Sequence, residues 1–367
     1  MMRAFAFAFA FRIRLRLRRP LRLVPAKSRD SSRRPRPKRV AAASAIGLAL
    51  LLAGCGKQSI VNTHSPQAHN IMLLWWWMLA AAAIVFFGSV GLLVIAWFRR
   101  GTAGLPFFGQ RENMAEGMVL VFGIGIPIAV LVPLFAVSNV YLIGQTSPPP
   151  RATTAMTIDV IGHQWWWEVR YPGTNAVTAN EIHIPARTRV NVVATTADVI
   201  HSFWVPALNR KVDMIPGRQN RILLYASSPG KYRGQCSQFC GFQHANMSMY
   251  VFAQPPAAYR AWAANMAAPA PAAATATVQA GKQQFLDDQC ASCHRIAGTP
   301  AQADVGPDLS HLATRTTLAA LTIPNDSRHL AAWIHNPQAI KPGDRMPDLG
   351  LSNTQVSELV SYLESLR

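Results

Sequence analysis

The stretch Cys236-Ser-Gln-Phe-Cys240-Gly-Phe-Gln-His244-Ala-Asn-Met247 gathers two thiols, an imidazole and a thioether within twelve residues. Soft thiolate and thioether ligands favour copper over hard cations, and imidazole binds copper equally well. A structural zinc ion has a closed shell of four ligands, none of which is a thioether, so Met247 argues against zinc. Gly241 permits the tight turn that brings both cysteines to one site. A disulfide beside a core histidine and methionine is the alternative that this loop alone leaves open.

A further histidine lies upstream, in the strand-like stretch Asp198-Val-Ile-His201-Ser-Phe-Trp-Val-Pro206. Together the two stretches resemble the binuclear CuA site of cytochrome c oxidase subunit II. The resemblance implies six copper ligands, namely bridging Cys236 and Cys240, one histidine on each copper (His201 and His244), and axial Met247 and the backbone carbonyl of Gln238. The family usually has glutamate at position 238, whose side chain also reaches magnesium. Gln238 keeps the carbonyl without the charge, so the resemblance supports copper and only weakly supports a magnesium ion at the subunit interface.

Composition excludes some classes of function. The net charge of +19 would suggest nucleic acid if it were spread over the chain. However, residues 1–40 hold 14 of the 36 Lys and Arg residues against one acid, so no nucleic-acid partner is expected. Half of the residues are hydrophobic and 14% are charged, which favours membrane segments. At 367 residues, the chain has room for two or three domains.

Residues 1–54 form a basic block followed by a short apolar run, which is typical of a secretory signal. The ending Leu51-Leu-Ala-Gly-Cys55 resembles a bacterial lipoprotein signal and implies lipidation of Cys55. A plain leader with an incidental cysteine is the alternative.

Residues 55–150 are predicted to form a transmembrane hairpin, with spans at about 71–98 and 117–143. Each apolar run exceeds the roughly 20 residues that a helix needs to cross a bilayer. The connection carries Arg99, Arg100 and Arg111, so the positive-inside rule places it in the cytoplasm and both hairpin ends outside. Glu116 lies near where the family has a glutamate at a proton channel, but we expect a solvated carboxylate at a helix start.

Residues 151–262 read as an all-β domain, for which the resemblance implies a cupredoxin Greek key. Short β-branched and aromatic runs alternate with Pro-Gly turns, as in a sandwich or barrel. The expected strands are Met156–Val160, Trp165–Tyr171, Glu181–Ile184, Val190–Thr195, Ile222–Tyr225 and Met249–Phe252.

The Trp165-Trp-Trp-Glu168 block is also family-like. Strand alternation places Trp165 and Trp167 on one face and Trp166 on the other. The resemblance implies that Trp165 is the aromatic where electrons enter, with core packing as the alternative. The resemblance also matches Asp213 to an acidic residue near the family's magnesium site. It suggests that Arg210 and Lys211 contact the partner subunit, with solvated surface charge as the alternative.

Residues 263–277 are almost wholly alanine and proline and predict a semi-rigid linker. Beyond it, residues 278–367 have helical texture and contain Cys290-Ala-Ser-Cys293-His294, the attachment signature of a c-type heme. Gly306-Pro-Asp-Leu309 resembles the loop that supports the heme histidine in class I cytochromes c, which implies an all-α cytochrome c domain. Both thiols would hold the heme covalently and His294 would bind the iron.

Met346 is the only methionine after His294, so it is predicted as the sixth iron ligand. Methionine and histidine ligation raises the potential, which suits an electron carrier on an oxidising path. The rivals are His311, His329 and His335, each expected on the surface or at a heme propionate.

Together these motifs resemble subunit II of a bacterial heme-copper oxidase with a fused cytochrome c. The resemblance implies a partner subunit I and other oxidase subunits, a cytochrome c or similar donor, and a multi-pass place in the bacterial inner membrane with both redox domains on the periplasmic side. A nitric oxide reductase subunit, a membrane-tethered copper chaperone and a free electron shuttle remain alternatives. Residues 151–262 carry a net +6 and residues 278–367 a net −2, which predicts salt-sensitive docking of the two redox domains.

Overall fold

The computed structural model describes residues 58–99, 112–148 and 154–367. The predicted leader, Cys55 and the connection carrying Arg100 and Arg111 lie outside the described residues.

Two long apolar helical segments open the described part, as predicted. Helix α1 spans Pro66–Arg99. The second segment runs through α2 (Glu112–Leu120), a π-helical stretch (Val121–Gly125), α3 (Ile126–Ala136), a second π-helical stretch (Val137–Ile143) and α4 (Gly144–Thr146). Each segment is long and apolar enough to cross a membrane. The side chain of Asn70 donates to that of Gln145 at 2.7 Å, so the start of the first segment meets the end of the second.

A β-sandwich follows the helices. Its strands are β1 (Met156–His163), β2 (Trp166–Arg170), β3 (Val177–Ala179), β4 (Glu181–Pro185), β5 (Val190–Thr196), β6 (His201–Trp204), β7 (Val212–Met214), β8 (Asn220–Leu224), β9 (Gly230–Cys236) and β10 (Ser248–Gln254). One sheet has the order β3-β2-β1-β5-β8 and the other β4-β10-β9-β6-β7. The six expected strands are present, whereas β3, β7 and β9 were not expected. Short or glycine-containing strands such as these give little periodic signal.

Alternation along the strands builds the sandwich core. In β1, Ile158 and Val160 are buried while Asp159 between them is partly exposed. Trp165 and Trp167 are both buried in the core and Trp166 is partly exposed, as the alternation predicted. Strand β4 departs from the pattern, since all five residues are buried. This edge strand is covered by helix α5 (Pro256–Met266), whose Trp262 stacks on His183 at 4.1 Å.

The C-terminal domain is helical, as predicted. Its helices are α6 (Ala276–Asp287), α7 (Cys290–Cys293), α8 (Ser327–His335), α9 (Pro337–Ile340) and α10 (Asn353–Ser365), with a small pair of strands, β11 (Thr317–Leu318) and β12 (Ile323–Pro324). Ser352 and Gln355 form a capping box that starts α10. Helices α5 and α6 extend into the predicted linker from both sides, because its alanines continue each helix.

Helices α6 and α10 cross in close contact at Gly281. A Cβ atom added there would lie 2.0 Å from the carbonyl oxygen of Glu358 in α10. That oxygen belongs to the backbone and cannot rotate away. Glycine is therefore required for the helices to approach this closely.

Gly281→Ala is expected to destabilise the C-terminal domain by about 2–3 kcal/mol, because the two helices must separate to admit the methyl group. A guanidinium titration of the detergent-solubilised chain, followed by helical circular dichroism, measures the shift. Gln283→Ala on the exposed face of α6 is the control and should change stability by less than about 0.5 kcal/mol. Equal midpoints for both variants would contradict the requirement for glycine.

Candidate copper and heme sites

The loop between β9 and β10 holds the predicted copper ligands, and its two ends are joined. The backbone N–H of Cys236 donates to the carbonyl of Met247 at 2.9 Å, next to the antiparallel pair of Gln235 and Ser248. At the tip, Gly241 has a φ of 111°, in the left-handed region that favours glycine. The turn expected from the sequence is therefore present.

The sulfur atoms of this loop form one buried cluster. The Sγ atoms of Cys236 and Cys240 lie 3.8 Å apart, and the Sδ of Met247 is 3.8 Å from that of Cys240. The backbone carbonyl of Gln238 lies 3.1 Å from the Sγ of Cys236. Both cysteines are free, so the alternative of a disulfide does not describe this structure.

Two histidines flank the cluster, and each faces it with its Nδ1 atom. The Nδ1 of His201 lies 3.8 Å from the Sγ of Cys236, and the Nδ1 of His244 lies 3.5 Å from that of Cys240. The Nε2 of His201 is 2.8 Å from Asp198, so the ring donates to the carboxylate and leaves Nδ1 free toward the thiols. A carboxylate behind a histidine is a common arrangement at metal sites, since it fixes the tautomer.

Burial and hydrogen bonding shift the protonation of this cluster. Burial alone would lower the pKa of His201, but the hydrogen bonds to Asp198 and Cys236 outweigh it and raise that pKa. The hydrogen bond from Cys240, helped by His201, lowers the pKa of the Cys236 thiol well below its usual range. The same pairing and burial raise the pKa of Cys240. One thiol of the pair is thus readily ionised, as a metal ligand must be.

The donor set fits a copper pair. Two thiols, two imidazole nitrogens, a thioether and a carbonyl lie within 3.8 Å of one or other cysteine sulfur, and the thiols, thioether and imidazoles are the soft and borderline donors that copper prefers. The structure brings all six predicted groups together. Their assignment as ligands stays a prediction.

The second site lies at the start of the C-terminal domain. Cys290 and Cys293 occupy the two ends of α7 and are free. The Nδ1 of His294 donates to the carbonyl of Pro307 at 2.8 Å, as expected for the loop Gly306–Leu309, and leaves Nε2 without its proton. A Cβ at Gly306 would lie 2.6 Å from the His294 ring. These features fit a covalently attached heme, and burial lowers the pKa of His294, which keeps the ring neutral.

Met346 lies in the loop after α9 and is partly buried. Its N–H donates to Asp344 at 3.1 Å, and its carbonyl accepts from Gln338 at 2.7 Å. Of the rival histidines, His311 has both ring nitrogens 3.0 Å from backbone carbonyls, and His329 contacts Asp326. His335 ends α8. The choice of sixth ligand stays a prediction.

The remaining predicted residues lie at the edges of the sandwich and on the second helical segment. Glu116, Lys211 and Asp213 are exposed. The Nε of Arg210 donates to the hydroxyl of Thr146 at 2.8 Å, which ties the sandwich to the end of the second apolar segment. Trp165 is only 5% exposed, so it is not a freely exposed surface aromatic.

The C-terminal domain meets the copper end of the sandwich through residues that sequence reasoning missed. The Nζ of Lys341 donates to the carbonyl of Trp165 at 2.9 Å, and the guanidinium of Arg345 donates to the side chain of Gln164. Elsewhere in the interface, Glu181 accepts from the N–H and the hydroxyl of Thr316 at 2.7 and 2.6 Å. The salt sensitivity predicted for the docking of the two domains stays a prediction, and the links between them named above are hydrogen bonds. No sequence signal marks them, because each partner is remote in the chain.

Known families match both the sandwich and the C-terminal domain. Residues 174–253 match the family described as cytochrome c oxidase subunit II, periplasmic domain, and residues 278–367 match cytochrome c. The cytochrome c oxidase subunit 2 of Alkalihalophilus pseudofirmus is 31% identical over 331 residues, which cover 87% of this chain and 95% of the relative. The Bacillus subtilis protein of that name is 27% identical, over 75% of this chain and 81% of the relative.

One of the solved structures similar to part of this chain is the periplasmic domain of subunit II of cytochrome oxidase from Bradyrhizobium japonicum. It has 32% identity, 31% of this chain and 97% of that chain covered, and a TM-score of 0.29.

The similarity to the Alkalihalophilus protein extends over nearly the whole length of that protein. The chain therefore belongs to the cytochrome c oxidase subunit II family, as the membrane-bound, electron-transferring subunit of a heme-copper oxidase complex with a periplasmic cupredoxin-like domain and a fused C-terminal cytochrome c domain.

Proposed function

We propose that the chain takes electrons from a soluble cytochrome c or similar donor at its C-terminal domain and passes them through its sandwich to subunit I, where oxygen is reduced. When bound, heme c and the copper pair supply one-electron carriers in the two domains. One observation supports this proposal most directly. The predicted copper ligands lie close together at one end of the sandwich, and that end contacts the C-terminal domain. These ligands are the two free thiols, two imidazoles, a thioether and a backbone carbonyl.

For the copper site we propose six ligands: Cys236, Cys240, His201, His244, Met247 and the Gln238 carbonyl. Asp198 keeps the His201 ring oriented, and the hydrogen bond at the neck of the loop holds Cys236 beside Met247. For the heme we propose covalent attachment through Cys290 and Cys293 and iron ligation by His294 and Met346. Pro307 fixes the tautomer that presents Nε2 of His294.

We further propose that the chain lies in the bacterial inner membrane with both redox domains on the periplasmic side. The two apolar segments and the arginines of their connection support this orientation. Lipidation of Cys55 would add an anchor, and it rests on the Leu-Ala-Gly-Cys motif alone. The domain limits 151–262, 263–277 and 278–367 belong to the same proposal.

A magnesium ion has little support. Gln238 is exposed and supplies no carboxylate, and Asp213 is likewise exposed at the surface. Magnesium prefers carboxylate and water oxygens in near-octahedral geometry. We therefore propose no magnesium ligand among the described residues of this chain.

Cys240→Ser is expected to abolish the binuclear copper signal in electron paramagnetic resonance, because a hydroxyl does not replace a bridging thiolate. The heme c absorption should remain, which shows that the chain still folds. Ser237→Ala is the matched control in the same loop, since the Ser237 hydroxyl has no hydrogen-bond partner among the described residues. A full binuclear signal from the serine variant would contradict the proposed ligand set.

Met346→Leu is expected to lower the heme midpoint potential, because loss of the thioether removes the ligand that raises it. An optical redox titration of the purified chain measures the shift. His329→Ala, in the same domain, should leave the potential unchanged. The reverse result would move the sixth ligand to the histidine.

The activity itself is tested on the solubilised complex that contains this chain. Reduced cytochrome c should drive rapid, cyanide-sensitive oxygen uptake with the native chain. Uptake should be lost with Cys240→Ser and retained with Ser237→Ala. Unchanged uptake in the absence of the copper signal would show that electrons bypass this subunit.

A further inference from the structure

We propose that Lys341 is a positioning residue that seats the methionine loop, residues 341–347 of the cytochrome domain, on the backbone of Trp165 beside the copper loop. The inference rests on the proposed function, because it concerns the contact that electrons cross between the two domains. The proposal attributes the contact to hydrogen bonds of named residues. A general attraction between domains of opposite net charge would not single out these residues.

The burial of Lys341 is the first observation. The residue is 1% exposed, its Nζ donates to the Trp165 carbonyl at 2.9 Å, and it pairs with Asp344 at 3.3 Å. Burial lowers the pKa of Lys341, so the charged amine is held there at a cost. Asp344 lies in the same loop. The bond to Trp165 is therefore the one of these two contacts that joins the domains.

Two short relays lead from the loop to the backbone of Cys240. Lys341 contacts the carbonyl of Trp165, whose ring N–H donates to the Cys240 carbonyl at 2.9 Å. Arg345 donates to the side-chain oxygen of Gln164, whose side-chain N–H₂ donates to the same carbonyl at 2.8 Å. Both relays thus end on the backbone of a proposed bridging cysteine.

Between Lys341 and Arg345, the methionine loop contacts the loop of proposed copper ligands between β9 and β10. The side chain of Gln243 donates to the carbonyl of Pro342 at 2.5 Å. A Cβ at Gly343 would lie 3.6 Å from the Cβ of Phe242, and Gly343 has a φ of 80°. The methionine loop therefore contacts the sandwich at positions 341, 342, 343 and 345, and Met346 follows the last of them.

A separate contact keeps the domain attached without Lys341. Glu181, 2% exposed on β4, accepts two hydrogen bonds from Thr316. Removal of the lysine amine should therefore loosen the methionine loop without releasing the whole domain. Electron tunnelling falls steeply with separation, so loosening is enough to slow transfer.

The transfer served by this contact moves one electron and no proton. The centre in the cytochrome domain is oxidised by one electron, and the centre in the sandwich is reduced by one. No covalent bond changes. Lys341 contributes geometry alone, which separates its role from that of a ligand.

The test uses the full chain in detergent, loaded with copper and heme. Lys341→Met should slow heme-to-copper transfer in stopped-flow absorption about tenfold, because one charge-assisted hydrogen bond is lost. Its midpoint potentials and spectra should match those of the unaltered chain. Hydrogen exchange should rise in residues 163–167 and 341–346. Gln164→Leu, which cuts the other relay, should slow transfer as well.

Lys282→Met is the matched control. It removes a lysine amine from α6 in the same domain, away from the methionine loop, so both the transfer rate and the exchange pattern should be retained. A normal rate in Lys341→Met, with both centres present, would overturn the positioning role. Equal slowing by Lys282→Met would also overturn it, since loss of a lysine charge and not of the contact would then be limiting. Absence of the copper or heme spectrum from the unaltered chain would instead contradict the proposed function.

Discussion

The copper end of the sandwich depends on the pairing of β9 with β10. Both ends of the ligand loop are held in one sheet, and the N–H of Cys236 donates to the Met247 carbonyl at its neck. Eleven steps of chain then close into a compact loop whose sulfur atoms lie 3.8 Å apart without forming a disulfide. A loop closed at its base loses little further entropy when it binds a metal, which favours a preformed site.

The position of the second redox domain follows from that loop. The sandwich offers backbone carbonyls and a neutral amide at its copper end, and the cytochrome domain offers a buried lysine and an arginine. Short hydrogen bonds of this kind specify one orientation, whereas the net charges of the two domains act over a distance and specify none. The tether between α5 and α6 keeps the effective concentration high, so a small contact suffices.

Local sequence patterns were enough for much of the fold and of the site. The two apolar segments, the alternation around Trp165 and Trp167, and the turn at Gly241 are all encoded within a few residues of chain. The heme motif and the supporting loop at Pro307 were found in the same way. The unexpected strands were those too short, or too rich in glycine, to show a period. The expected linker was shorter in the structure because its alanines favour helix.

Residue types and their spacing were therefore sufficient for the class of metal chemistry, since soft ligands in a short loop select copper wherever that loop lies. The tertiary structure was needed to find contacts between residues that are far apart in the chain. Asp198 behind His201, the glycine at the crossing of α6 and α10, and Lys341 on Trp165 each depend on a neighbour that the backbone brings close. Burial and hydrogen-bond geometry arise from packing in three dimensions, and a linear pattern does not carry that information.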